Sequence, residues 1–166
     1  MKRFLKRFFI GLLILFALIQ FYPRPAKNIN NQPAPMELNR VHAVPANVMA
    51  ILENSCYDCH SNNTKYPWYS NLQPVAYFLG DHIREGKEEL NFSVFGSYSI
   101  RRRYRKLEEM IDEVKAGEMP LKSYTLIHRN ATVNKHQALL LTDWATALRD
   151  SIKASYPPDS LARKKN

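Results

Sequence analysis

Both cysteines of the chain fall in one short run, Cys56-Tyr57-Asp58-Cys59-His60, and a histidine directly follows the second. Thiols at i and i+3 lie about one helical turn apart. C-x-x-C-H is the attachment signature of a c-type haem, and the chemistry explains the spacing. The two thiols can add to two vinyl groups on one edge of a porphyrin, and the histidine can offer a ring nitrogen to the iron. Two other uses of a C-x-x-C pair compete. A thioredoxin-type dithiol needs no histidine in the next position and normally opens a helix after a strand. Here a helix-like run precedes the pair instead. A structural zinc site usually takes a second ligand pair, and the sequence holds no second C-x-x-C and no H-x₃₋₅-H. Covalent haem is the expectation, with the redox pair and the metal site as alternatives.

Charge separates the ends from the body. The formal net charge is +9 over 166 residues, a length suited to one domain with appendages. Lys2, Arg3, Lys6 and Arg7 at one end, with Arg163, Lys164 and Lys165 at the other, carry most of it. Residues 24–162 are nearly balanced, and a nucleic-acid partner needs a basic face on the folded body. None is expected.

Residues 8–21 are apolar apart from Gly11 and Gln20 and follow the cationic cluster directly. A charged stretch before a hydrophobic one is an export signal. No small-x-small pattern closes the run, where Gln20-Phe21-Tyr22-Pro23-Arg24 stands instead. About 15 residues at about 1.5 Å each reach roughly 22 Å, against a hydrocarbon core of about 30 Å. Snorkelling by Lys6 and Arg7 and local thinning can extend the usable run back to Phe4. The expectation is an uncleaved signal anchor over residues 1–22, with a cleaved signal peptide as the alternative. Cations before the span keep the N-terminus cytoplasmic. The domain then lies on the periplasmic, outer side of the inner membrane.

Pro23, Pro25, Pro33 and Pro35, with the polar patch around Asn28 and Asn30, give residues 23–44 the composition of an extended tether. Pro45 suits a helix start, and Val48, Ile51, Leu52 and Ser55 carry an amphipathic helix straight into Cys56. A polar loop and the aromatic group Tyr66-Pro67-Trp68-Tyr69 follow. Trp68 and Tyr69 are candidate donors to haem propionates, or ordinary core aromatics. Pro74 opens a second helix with an apolar stripe of Val75, Phe78, Leu79, His82 and Ile83. On such a stripe His82 is a hydrogen-bonded core residue or a ligand. Ser99 caps a third helix built on Tyr104, Leu107, Ile111 and Val114, with Gly117 as its stop. Arg101-Arg102-Arg103 occupies the first turn of that helix, where the macrodipole disfavours cations. The triplet suggests an anionic partner, or a solvated face offset by Glu108, Glu109, Asp112 and Glu113. Asn134 and Gln137 form a capping box for the last helix, whose face is Ala138, Leu141, Ala145, Leu148 and Ile152 with Trp144 beside it. Tyr156-Pro157-Pro158 ends it, leaving 157–166 as a basic tail. With no strand pair, repeat or glycine-rich phosphate loop, the expected fold is all-α, with its domain at 45–156.

A helix leading into C-x-x-C-H, a late Met-Pro and a closing helix resemble a class I c-type cytochrome. Five segments more closely resemble the haem-binding domain family of small exported bacterial proteins. They are residues 55–62, 66–70 (Tyr66-Pro67-Trp68-Tyr69-Ser70), 86–92, 117–120 (Gly117-Glu118-Met119-Pro120) and 123–128. The resemblance covers about residues 40–150. It implies a small helical domain around one covalent haem held by Cys56 and Cys59, with His60 as proximal ligand and Tyr124 among the candidate haem contacts. It leaves the physiological reaction open.

Three residues compete for the far side of the iron. Met119 comes first, because it sits in a turn after Gly117 and is pinned by Pro120, whereas packing methionines usually sit on a helical stripe. In class I cytochromes the methionine lies between the corresponding helices. His82 is second and His128 third, with an open site as the remaining case. Electron transfer to an unidentified redox protein is the first functional expectation. A haem enzyme or sensor with an open or labile sixth position is the second, and a haem-free thiol oxidoreductase the third.

Overall fold

The structure, a computed structural model, describes residues 1–30 and 32–162. The chain is helical, and among the described residues the extended pairing is one isolated bridge between Ile29 and Asn63. The helices are α1 (Lys2–Ile19), α2 (Leu38–Val41), α3 (Ala46–Ser55), α4 (Tyr57–His60), α5 (Val75–Glu89), α6 (Ile100–Ala116), α7 (Lys122–Ile127), α8 (Lys135–Ser155) and α9 (Pro158–Leu161). Short 3₁₀ turns cover Trp68–Asn71, Phe92–Ser97 and Arg129–Ala131.

The expected caps form where the sequence puts them. Gln137 N–H donates to the Asn134 side chain at 2.9 Å and Asn134 N–H to the Gln137 side chain at 3.0 Å, closing the box that starts α8. Ser99 Oγ accepts from Arg102 N–H at the start of α6. At its end Gly117 adopts φ +71, a left-handed conformation that costs a glycine little. Glu118 and Met119 then donate back to the Glu113 carbonyl at 3.0 and 3.3 Å. Met119 is thereby held in the turn that caps α6.

α6 and α8 pack side by side. Leu107, Ile111 and Val114 of α6 meet Leu141, Ala145 and Ile152 of α8, and Val48, Ile51 and Leu52 of α3 complete the cluster with Phe92 and Phe95. The positions on α3, α6 and α8 are those that the 3.6-residue period picks out; Phe92 and Phe95 come from the 3₁₀ turn between α5 and α6. Trp144 Nε1–H donates to the Ala43 carbonyl at 3.2 Å.

Three stretches differ from their sequence expectation. The described residues of 23–44, proline-rich and polar, are laid along the body. Leu38 is fully buried, and Gly96 N–H donates to the Met36 carbonyl at 2.8 Å. The Asn28 amide donates to the Ser61 carbonyl at 2.8 Å and to Thr64 Oγ1 at 2.9 Å. Proline fixes an extended backbone, and an extended backbone can dock as readily as it can dangle. The packed unit therefore begins before residue 45. It also runs past 156, because α9 packs on α6; Arg163, Lys164 and Lys165 of the basic tail lie outside the described residues.

The arginine triplet spends its charge on the chain's own carbonyls. Arg101 donates to Asp159 and Arg102 to Glu88, at 3.3 and 3.0 Å. Arg103 donates to Tyr98 at 2.9 Å and also to Gly96. Arg102 lies over the Tyr98 ring at 4.1 Å. Arg102 satisfies a C-terminal carbonyl of α5, Arg103 two carbonyls at the end of the following turn, and Arg101 one on α9, a sufficient reason for cations at the start of α6.

The third difference is the α5 stripe. Ile83 is buried, but Phe78 is 60% exposed and Val75 is also on the surface. No helix among the described residues is long and apolar enough to cross a membrane. In α1 the cations fill the first two turns, and residues 8–19 alone reach about 18 Å at about 1.5 Å each.

Replacing Asn134 by alanine removes one half of the reciprocal cap. It should destabilise the protein by about 1 kcal/mol, read as a lower midpoint at unchanged slope in urea. An unchanged midpoint would show that α8 is held by its packing alone.

Candidate functional site

α3 delivers the cysteines. Cys56 N–H donates to the Leu52 carbonyl at 2.9 Å, and the chain then makes the single turn of α4, in which His60 N–H donates to the Cys56 carbonyl at 2.9 Å. Tyr57 points away from that turn and stacks on Phe92 with ring centroids 5.2 Å apart. On the other side α5 comes very close. A Cβ at Gly86 would stand 2.9 Å from the Cys59 carbonyl oxygen, so this approach requires glycine.

That approach brings Leu90, just past α5, to the histidine. His60 Nδ1 lies 2.9 Å from the Leu90 carbonyl oxygen. A carbonyl only accepts, so Nδ1 carries the proton and Nε2 keeps its lone pair. Burial pulls the imidazole below its ordinary range, against the Leu90 and Gly86 carbonyls that raise it. The ring is neutral at neutral pH, the form that binds a metal.

Asp58, inside the motif, is held from three directions. Tyr124 Oη–H donates to Oδ2 at 2.7 Å, Lys65 N–H to Oδ1 at 3.0 Å, and Thr64 Oγ1 to the backbone carbonyl at 2.6 Å. Burial first, and then the Asp58 carboxylate, push the Tyr124 phenol well above its ordinary value. Tyr124 stacks on His128 at 4.4 Å, and His128 shares a hydrogen bond with the Tyr69 hydroxyl.

Three cavities that share lining residues surround the motif. One of about 300 Å³ brings together Cys56, Cys59, His60, His82, Met119 and Tyr124. A second, of about 400 Å³, has Cys56, His60 and Met119 again and continues inward to Phe92, Val114 and Leu141. The third, of about 160 Å³, leads from Cys59 and Tyr124 outward past Val75, Phe78 and His82 to Tyr69 and His128. The α5 stripe is the wall of this outer crevice. The first two volumes fall in the range of ~300–1,000 Å³ typical of small-molecule sites.

Met119 faces both cavities that His60 faces, while His82 shares one of them and His128 neither. His82 is exposed, with Nδ1 2.7 Å from the Phe78 carbonyl. Trp68 is 77% exposed and lines none of the three cavities. Its ring stands edge-on to Tyr69.

A family model described as a haem-binding domain matches residues 14–147. The chain belongs to the haem-binding domain family. No curated protein and no solved structure matches it significantly. The residues of this haem-binding domain fit the group its family binds. A neutral imidazole with a free Nε2, two thiols one turn apart and a thioether share one cavity, and the imidazole, the Cys56 thiol and the thioether also face a second one that reaches the apolar core. The family match begins inside α1 and ends inside α8, so the unit is longer at its front than residues 40–150 suggest.

Several site residues carry no signal in the sequence. Lys106 lies on the amphipathic α6, yet its side chain is 6% exposed, held at 2.7 Å by Glu89 and 2.6 Å by Glu109 on the wall of the larger cavity. Burial pulls its ammonium down, but the two carboxylates outweigh that and hold it above the ordinary lysine value. The Leu90 carbonyl is backbone, which no residue pattern reveals. Gly86 could have been found, as a glycine inside a helix one turn before its end.

Both cysteines are free thiols. Burial first, and then each one's neighbouring acid, push Cys56 up to about 12 and Cys59 up to about 11. A redox dithiol needs a lowered thiol, so this pair lacks the activation such chemistry uses. In haem-free protein at pH 8, iodoacetamide should alkylate Cys59 roughly a hundredfold more slowly than in the denatured chain. Both acids are raised on folding, so their contribution to stability is present below pH 9.0 and lost as pH climbs through about 11 to 12. Equal alkylation rates in folded and denatured protein would contradict this burial.

Proposed function

We propose that this haem-binding domain is a c-type electron carrier held at the outer face of the cytoplasmic membrane. The observation that carries the reading is the convergence of Cys56, Cys59, His60 and Met119 on one cavity. In this assignment Cys56 and Cys59 would hold a single haem through thioether bonds. His60 would bind its iron through Nε2, and the Met119 sulfur would be the second protein ligand. The bound haem contributes a one-electron couple, and a thioether ligand favours its ferrous state over the bis-histidine case. The chain does the rest. The Leu90 carbonyl fixes the His60 tautomer and makes Nε2 a better donor. The turn capping α6 aims Met119, and the core residues Phe92, Val114 and Leu141 supply the apolar part of the larger cavity's inner wall, beside the ion-paired Lys106. The outer crevice past Val75 and Phe78 leaves an open edge at which an unidentified redox protein can exchange electrons.

Residues 1–22 are the membrane anchor in this reading. The cations of the first two turns stay cytoplasmic, and snorkelling Lys6 and Arg7 with a thinned bilayer accommodate the short run. Pushed-up thiols weigh against a thiol oxidoreductase. One observation favours a second reading, a haem enzyme or gas sensor with a labile sixth position. His82 is exposed on the wall of the same cavity and also lines the outer crevice, where the Tyr124–Asp58 and Tyr69–His128 hydrogen bonds lie.

Expression with the cytochrome c maturation machinery separates the two. The reduced protein should be low-spin and indifferent to carbon monoxide. The oxidised protein should show the weak long-wavelength band of a methionine ligand. Met119→Ala should abolish that band, lower the potential and admit carbon monoxide. Ready carbonyl formation by the unmodified protein supports the enzyme or sensor. If Met119→Ala changes nothing and His82→Ala changes spectrum and potential, the distal ligand is His82.

A further inference from the structure

α1 does not merely precede the body; it is bonded to it. The Gln20 side chain donates to the Gln73 carbonyl at 3.0 Å and accepts from Gln73 N–H at 3.0 Å, a reciprocal pair of amide bonds. Gln73 is 1% exposed. Its own side chain donates to the Tyr22 and Pro23 carbonyls, at 3.4 and 3.2 Å, and accepts from Tyr77 N–H. Pro25 then sits in a space that a Cβ on Gly80 would fill, 2.6 Å from that position. The joint between helix and body is thus closed by part-buried hydrogen bonds around the buried Gln73 and by a shaped contact. The family match starts at residue 14, so this joint lies inside the family's unit.

Around the joint the surface is apolar and aromatic. Phe21, Tyr22, Trp68, Leu72 and Tyr77 are all exposed there, on the end of α1, the turn before Gln73 and the first turn of α5. A group of this kind continuous with an apolar helix marks a contact. What it contacts follows from length. Residues 8–22 supply about 22 Å at about 1.5 Å per residue, against a hydrocarbon core of about 30 Å. So short a segment cannot hold its far end clear of the headgroups, and the joint is drawn into the interface. Trp and Tyr favour that layer, with ring bodies in the acyl boundary and polar tips in the headgroups. Arg24, exposed just beyond Tyr22, supplies the charge that pairs with lipid phosphate.

We propose that the rim formed by Tyr22, Trp68, Leu72 and Tyr77 docks on the lipid bilayer, and that the Gln20–Gln73 clamp fixes the body's orientation on it. This rests on the anchor reading of residues 1–22. Val75 and Phe78, which wall the outer crevice, share the first turns of α5 with Tyr77. Docking therefore opens that crevice beside the membrane surface, where a membrane-embedded electron partner can reach it.

The test uses full-length holoprotein reconstituted in vesicles of phosphatidylcholine and phosphatidylglycerol. A small fraction of the lipid carries a photoreactive diazirine near the glycerol, and flotation is measured in parallel. After irradiation, mass spectrometry should find lipid adducts on α1 and also on residues 68–77. Gln20→Ala should keep the α1 adducts and reduce those on residues 68–77 several-fold. Protein that floats with the vesicles but carries adducts on α1 alone overturns the docking and leaves the anchor standing. Protein that does not float overturns both. Undiminished labelling of residues 68–77 in Gln20→Ala overturns the orienting role of the clamp.

Discussion

The hydrogen bond from His60 Nδ1–H to the Leu90 carbonyl is the contact on which the site depends. It exists only because α5 can lie against the single turn of α4, an approach that Gly86 permits at the Cys59 carbonyl. The same approach settles two chemical questions together. It decides which imidazole nitrogen keeps its lone pair, and it places α5 so that His82 and Glu89 border the cavity that holds the cysteines. A second set of bonds, to Asp58 from Tyr124, Lys65 and Thr64, fixes the motif from the opposite side. The motif is clamped between these two sets, so its geometry is set by the fold and not by the five residues alone.

The cavities around the motif have two apolar walls, one turned to the core and one to solvent. The inner wall of Phe92, Val114 and Leu141 belongs to the same cluster that joins α3, α6 and α8. The outer wall of Val75 and Phe78 is apolar surface facing solvent, which a large apolar group would cover. Lys106 sits at the inner wall with its charge matched by Glu89 and Glu109. Removing either carboxylate would leave the ammonium under-compensated in a buried position, a costly arrangement.

What the sequence made legible is what local chemistry dictates. The caps at Ser99 and Asn134, the left-handed stop at Gly117 and the stripes of α3, α6 and α8 depend on neighbours within four residues. Cys56, Cys59 and His60 stand out in the sequence because C-x-x-C-H is the spacing that covalent haem attachment would require. The failures share a different cause. Docking of residues 23–44 depends on Asn28 meeting Ser61 and Thr64, and on Leu38 entering a core assembled from α3 and the Phe92–Ser97 turn. The arginine triplet was ambiguous because its partners are backbone carbonyls, which every residue carries. The stripe on α5 was correctly periodic, but periodicity cannot say whether an apolar face meets the core or lines a crevice.

Covalent attachment through both thiols is the central claim, and intact mass measured after acidic acetone extraction tests it most directly. Protein matured with the cytochrome c machinery should keep its colour through extraction, and its mass should exceed that of the bare chain by one haem. Cys56→Ala/Cys59→Ala protein should release whatever haem it holds into the solvent. Colour that leaves the unmodified protein, with a mass equal to the polypeptide alone, would contradict the account.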